Sequence, residues 1–221
     1  IQYRIWRGGA DHCLHRSGSG RRLPVQQDFV IALRRVVDPV GDRRIPAAVE
    51  RLISDFVPKV ICHLAAQASV TVSVRDPARD LDVNVRGTFN ILEAARTVGA
   101  RTVFASTGGA LYGDDAPVPT SEHAVAPQPL APYGASKLAA EAYVGTWGRL
   151  HGIENVVLRL GNVYGPRQTA GGEAGVVAIF SDRLLRGEPP VVYGDGLQTR
   201  DYIYVGDVAE AFLVAGTRSG G

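Results

Sequence analysis

Two side chains four residues apart, Tyr133 and Lys137, offer the clearest chemistry in this sequence. They stand in Tyr133-Gly134-Ala135-Ser136-Lys137, at the head of a segment that reads as helix through Leu150. Residues four apart lie one above the other on a helix, so the phenol and the ammonium can share one small volume. A cation there favours the phenolate and is expected to pull the tyrosine from about 10 toward working pH. A group with a pKa near the operating pH serves as general acid and base. Such pairs also arise by chance on solvated helix faces. Composition sharpens this one, because the chain uses Arg almost throughout and carries only two lysines, Lys59 and Lys137. Lysine is a compact charge with three donors, where arginine is a planar fork.

The elements that must position this pair follow from periodicity. Apolar residues at helical spacing over 45–56 predict a helix stopped by Pro58. The short apolar run 60–66 fits a buried parallel strand ending in small residues. A long helix is predicted over 80–98 and ended by Gly99, then a strand over 102–107. The Gly108-Gly109 turn and a polar, proline-rich loop over 113–132 lead to the Tyr133 helix, and 155–160 reads as another strand. Strands alternating with helices imply an α/β fold with a parallel, doubly wound sheet. Ligands there bind outside the carboxyl ends of the strands, where His63 to Ala66, Ser106, Thr107 and Gly161-Asn162 fall. The last third is punctuated by Gly and Pro, with a short strand expected over 199–205 and a helix over 207–214 capped by Asp207.

The remaining text bounds the function. The 221 residues, 45% hydrophobic and 21% charged, suit a soluble globular chain with a well-buried core. A net charge of +2 implies no strongly charged partner. Neither a nucleic-acid nor a membrane partner is expected. Two cysteines, Cys13 and Cys62, make no disulfide framework, and a cytoplasmic address is the default. Residues 1–40 are rich in Arg and lack lasting periodicity. A solvated segment is favoured there over a nucleic-acid arm, because no aromatic interleaving accompanies the charge. His12, Cys13 and His15 are spaced too tightly for a metal site, and none is expected.

Several motifs then agree in order. Ser106-Thr107 at a strand end and Tyr112-Gly113 precede Tyr133-x-x-x-Lys137; Arg159-Leu160-Gly161-Asn162-Val163-Tyr164-Gly165-Pro166-Arg167 and Arg200-Asp201-Tyr202-Ile203 follow. From about Gly41 onward the chain resembles the extended short-chain dehydrogenase/reductase family, within it the NAD-dependent nucleotide-sugar epimerases and dehydratases. The resemblance implies a Rossmann-type NAD-binding domain over 1–160, with 1–40 atypical. A partial substrate-binding lobe over 161–221, interleaved with it, would hold a nucleoside-diphosphate sugar. It implies Thr107, Tyr133 and Lys137 as catalytic residues. Gly8, Asp42, Leu64, Ala65, Ala66, Asn84, Tyr133 and Lys137 would contact NAD. Thr107, Asn162 and Arg200 would contact the sugar nucleotide, with Ser106 the rival hydroxyl to Thr107. The implied reaction is inversion at C4 of a sugar of the UDP-glucose/UDP-galactose type through a 4-keto intermediate. Gly108-Gly109 stand where the dehydratase branch carries an Asp-Glu pair, which favours epimerase over 4,6-dehydratase. The helices over 80–98 and 133–150 resemble those that pair in family homodimers.

One stretch departs from the pattern. Arg7-Gly8-Gly9-Ala10 begins like the family's phosphate-binding turn, but Asp11, His12, Cys13 and Leu14 follow where a glycine, two apolar residues and a glycine are expected. Asp11 would place a negative charge beside the pyrophosphate, so weak NAD affinity is expected. A shifted reading frame within 11–40 would account for the change of text. Family members also run on beyond the last residue here, so the sugar pocket is expected to be incomplete. An inactive fragment or pseudoenzyme is the alternative these departures keep open.

Overall fold

The computed structural model describes residues 2–7, 29–35, 44–123, 126–168, 170 and 175–218, with side chains from residue 47 onward. Its main sheet has the strand order β1 (Gln2–Arg7), β2 (Phe29–Arg35), β3 (Val60–His63), β4 (Arg101–Thr107) and β5 (Val156–Leu160). Strands β2 to β5 are parallel, and β1 runs antiparallel at the outer side of β2. Each step from β2 to β5 moves one place in the same direction. Right-handed crossovers of that kind bring their helices to one face of the sheet.

That face is covered by α1 (Arg44–Phe56), α4 (Gly87–Val98) and α5 (Pro132–His151). Alternation along the strands decides which side chains meet them. Ile61 packs with Val49 and Ile53 of α1 and Ile91, Ala94 and Ala95 of α4, while Phe104 packs with Leu92, Ala140 and Val144. Val60, Cys62 and Val103 point the other way, onto Val208 and Phe212 of α7 (Val205–Thr217). Helices thus cover both faces, as the doubly wound reading expects. Each large aliphatic side chain so buried contributes about 1.5–3 kcal/mol. Gly216 lets α7 approach closely, because a Cβ there would lie 2.9 Å from Val60 Cγ1.

Between β3 and α4 the chain winds through α2 (Val70–Arg75), α3 (Pro77–Leu81) and a π-helical turn over Asp82–Arg86. Ser69 caps α2 through Val72 N–H at 2.9 Å, and Asp76 caps α3 through Arg79 N–H at 3.0 Å. Gly99, at φ 69°, closes α4 in the left-handed conformation that glycine adopts without a Cβ clash. A second, two-stranded parallel sheet joins β6 (Asn162–Tyr164) to β7 (Tyr202–Tyr204), with α6 (Val176–Leu185) between them in sequence. The expected cap at Asp207 is not formed: α7 starts at Val205, with Tyr204 in the cap position, and Asp207 lies in its first turn. Among the described residues no helix is long and apolar enough to cross a membrane.

Candidate active site at the carboxyl edge of the sheet

The end of β4 and the start of α5 meet because Gly134 has no side chain. A Cβ at Gly134 would lie 2.2 Å from Ala110 O and 2.8 Å from Pro129 Cβ, so α5 rests directly on the turn that follows β4. That contact sets Tyr133 near Thr107, whose hydroxyl favours the phenolate. The rival hydroxyl goes elsewhere: Ser106 donates to Glu141, which also takes a bidentate ion pair from Arg159 at 2.7 Å. Arg159 in turn donates to Tyr112 Oη at 2.6 Å and pins the root of the polar loop. Thr107 is therefore the hydroxyl beside the phenol.

Lys137 corrects the opening expectation. Its side chain is buried, and Nζ donates to Ala105 O at 2.7 Å and lies 4.7 Å from the centre of the Phe104 ring. The i,i+4 spacing brings the two residues to one face, and the ammonium is held by the strand carbonyl of Ala105. The Tyr133 phenol stands above its ordinary value, not below it: burial raises it, the Thr107 hydroxyl opposes, and Asp80 raises it further. Burial pushes Lys137 down to about 8, with Asp80 and then Glu141 holding it up.

Beneath the pair lies a network with no clear mark in the sequence. Asn84, in the π-turn, donates to Gln67 O at 3.0 Å, to Asp80 Oδ1 at 3.1 Å and to Ser136 Oγ at 3.0 Å, and accepts from Gln67 N–H at 2.8 Å. Ser136 Oγ donates to Tyr133 O at 3.0 Å. Asn84, expected to contact the cofactor, thus forms an internal brace between the β3 loop and α5, with its amide donors engaged within the protein. His63, fully buried, lies 2.9 Å through Nε2 from Thr88 Oγ1. Thr88 gives its own proton to Asn84 O at 2.6 Å, so Nε2 is the donor and Nδ1 is left as a buried acceptor without a partner. Burial, helped by Lys137, lowers His63 to about 3.

The other expected contacts divide. Leu64, just past β3, is 42% exposed, and Ala66 is partly exposed. Ala65 instead faces the core among Val49, Ile53 and Ile91, which removes its side chain from any ligand. Asn162 donates to Asp201 O at 3.3 Å, and the exposed Arg200 donates to Thr199 O at 2.7 Å. Among the described residues no hydrogen bond or ion pair joins either to Tyr133, Thr107 or Lys137. Gly8 and Asp42 lie outside the described residues, as do His12, Cys13 and His15. The strand leading to Gly8 is described: Arg7 pairs with Phe29, the first residue of β2, so β1 ends at the edge where the parallel strands begin.

A parallel sheet with a hydroxyl, a tyrosine and a lysine at its carboxyl edge defines the short-chain dehydrogenase/reductase class, with a Rossmann-type fold. A model of the NAD dependent epimerase/dehydratase family matches residues 25–220, and the chain belongs to that family. It is 48% identical over 171 residues to a UDP-glucose 4-epimerase of Mycolicibacterium smegmatis, covering 77% of this chain and 54% of that one. It superposes with a TM-score of 0.77 on a UDP-glucose 4-epimerase of Thermotoga maritima solved with UDP-glucose, at 41% identity over 85% of this chain and 65% of that one. The Thermus thermophilus UDP-glucose 4-epimerase in complex with NAD gives a TM-score of 0.74 at 44% identity, over 86% and 67%. The chain spans about half the length of the curated relatives it matches.

Residues at the carboxyl edge fit the nicotinamide half of such a cofactor. Lys137 gives one of its three donors to Ala105 O, and the half-exposed Leu64 offers an apolar shelf at the end of β3. No counterpart for the pyrophosphate half is seen among the described residues.

Proposed function

We propose that the chain forms the cofactor-holding part, and the beginning of the sugar-holding part, of an NAD-dependent epimerase acting at C4 of a UDP-linked hexose. The observation that carries this reading is the seating of Tyr133, through the Gly134 contact with Ala110 O, at the end of the parallel strand that carries Thr107, with Lys137 buried one helical turn on. Residues 1–160 would make the NAD-binding domain and residues 161–221 the partial sugar lobe. NAD, when bound, supplies acceptor and donor of hydride and a positive charge that favours the phenolate. Tyr133 takes the proton from the C4 hydroxyl and returns it to the same oxygen once the keto sugar has turned its other face to the hydride donor. Thr107 orients the reacting oxygen and keeps the phenol aimed at it. Lys137 would hold the nicotinamide ribose through the donors that Ala105 O leaves free. Arg200 is suited to a diphosphate by its planar fork, and Asn162 to the sugar. Gly108-Gly109 leave no acid–base pair after Thr107 for removing water, which favours epimerase over dehydratase.

Tyr133→Phe is expected to lower UDP-galactose turnover by about 10²–10⁴-fold, the range for loss of a general acid/base, with far-UV circular dichroism and melting unchanged. Near-normal turnover by that variant would end the mechanism. A second reading, a family member that keeps the fold without turnover, draws on the direction of β1. Calorimetric titration with NAD separates the two: no heat of binding together with no turnover favours the second. A cytoplasmic address accords with the free, buried thiol of Cys62. Pairing of two copies through α4 and α5 accords with the ring cluster of Phe89, Tyr143 and Trp147, in which Tyr143 is 40% exposed.

A further inference from the structure

We propose that Glu141 is a positioning residue for the candidate reaction: clamped between Ser106 and Arg159, it fixes the ends of β4 and β5 against α5 and so fixes Thr107 relative to Tyr133. The carboxylate stands two helical turns after Tyr133 and one after Lys137, so the three side chains share one stripe of α5. Along that stripe the helix grips β4 at consecutive residues. Lys137 Nζ donates to Ala105 O at 2.7 Å, and Ser106 Oγ donates to Glu141 Oε1. Thr107 comes next and is the last residue of the strand.

Glu141 holds the neighbouring strand as well. Ser106 and Arg159 face each other in the register of β4 and β5. Arg159 Nε donates to both carboxylate oxygens at 3.1 Å, and Nη2 donates to Oε2 at 2.7 Å. Only 9% of the Glu141 side chain and 22% of the Arg159 side chain are exposed. The third guanidinium nitrogen, Nη1, donates to Tyr112 Oη at 2.6 Å, and the guanidinium carbon lies 5.5 Å from the centre of that ring. One carboxylate is therefore tied to the chain on both sides of Thr107: directly to Ser106 before it, and through Arg159 to Tyr112 after it. Between these ties Gly108 N–H donates to Leu160 O at 2.7 Å and carries the ladder one step past Thr107. A buried ion pair adds little stability over an apolar pair of like volume. What this one supplies is direction, because each of its bonds points a different element at the same carboxylate.

The effect on turnover rests on the epimerase reading, whereas the order of the strand ends can be read without cofactor. In Glu141→Gln the amides of Ser106, Thr107 and Gly108 are expected to exchange with deuterium about tenfold faster or more, as measured by NMR on the 221-residue chain. For UDP-galactose, kcat and kcat/KM should fall together by about 10–100-fold, the mark of reacting groups out of line rather than of lost binding. Glu141→Gln leaves the Arg159 charge without its partner and can prevent folding. The double variant Glu141→Met, Arg159→Met removes both charges at similar volume. It should match the parent in urea unfolding and still show the fast exchange and the lowered kcat. A purely structural pair would change stability and leave the kcat of folded molecules alone. Parent-like exchange at the three amides in a folded variant, or parent-like kcat in the double variant, overturns the proposal. Faster exchange with no turnover in the parent protein leaves Glu141 in its role and removes the epimerase reading instead.

Discussion

At the scale of single residues, burial outranks spacing in setting the chemistry. The sequence placed Tyr133 and Lys137 on one helix face correctly, because Cβ positions follow from the 3.6-residue turn. It could not say where a four-carbon stem carries its ammonium, and the strand carbonyl of Ala105 captures it. The choice between Thr107 and Ser106 was open for the same reason. Alternation sends one to each face of β4, and only the fold says which face holds the phenol. His63 was legible as a strand-end residue, but its burial was not. Its folded pKa of about 3 lies below the ordinary 6.5, so in acid the unfolded chain takes up a proton that the native one refuses. Stability is complete above pH 6.5 and drains as pH falls toward 3. Between pH 7 and pH 4 this one group should cost about 3 kcal/mol. Urea titrations at the two pH values should show a smaller loss in His63→Gln; an equal loss in both proteins would place the acid sensitivity elsewhere.

At the scale of elements, long periodic segments were legible and short ones were not. Helices α1 and α5 and strands β3, β4 and β5 stand within a few residues of their expected bounds, since each carries a full apolar stripe or run, whereas the single helix expected over 80–98 is divided among the end of α3, the π-helical turn and α4. Helix α2 reads Val-Thr-Val-Ser-Val, a β-branched text with no helical period, and its capping by Ser69 decides its form. Strand β2 was lost in the Arg-rich text around Phe29–Arg35, although its apolar half supplies the neighbour that β3 needs. The seat of α5 depends on Gly134, whose missing Cβ lets Ala110 O approach. Gly134→Ala should therefore destabilise the protein by about 1–3 kcal/mol in urea unfolding, the usual cost of forced overpacking. Unchanged stability would mean that the turn after β4 yields at little cost.

At the scale of the whole molecule, a five-stranded sheet covered on both faces carries its candidate chemistry on the carboxyl edge, as the alternation of elements implied. The sequence did not foresee that β1 would run against its neighbours, because strand direction depends on what a strand pairs with rather than on its composition. Pairing of two chains is decided at this scale too. Sedimentation velocity on the 221-residue chain is expected to show a dimer, and Tyr143→Lys a monomer, since a buried lysine head on that ring cluster has no partner. A monomeric parent at tens of micromolar would exclude pairing through α4 and α5.

The wide turn before α4 fixes the length of the chain at one place. An α-helix advances about 100° per residue. Deleting any one residue from Asp82–Arg86 would return the stretch to ordinary winding and rotate everything upstream by about that angle relative to α4. Asp80 would then swing off Asn84, and the loop from β3 would lose its anchor. Insertions and deletions can therefore accumulate in the polar loop before α5, while this short stretch must keep its residue count.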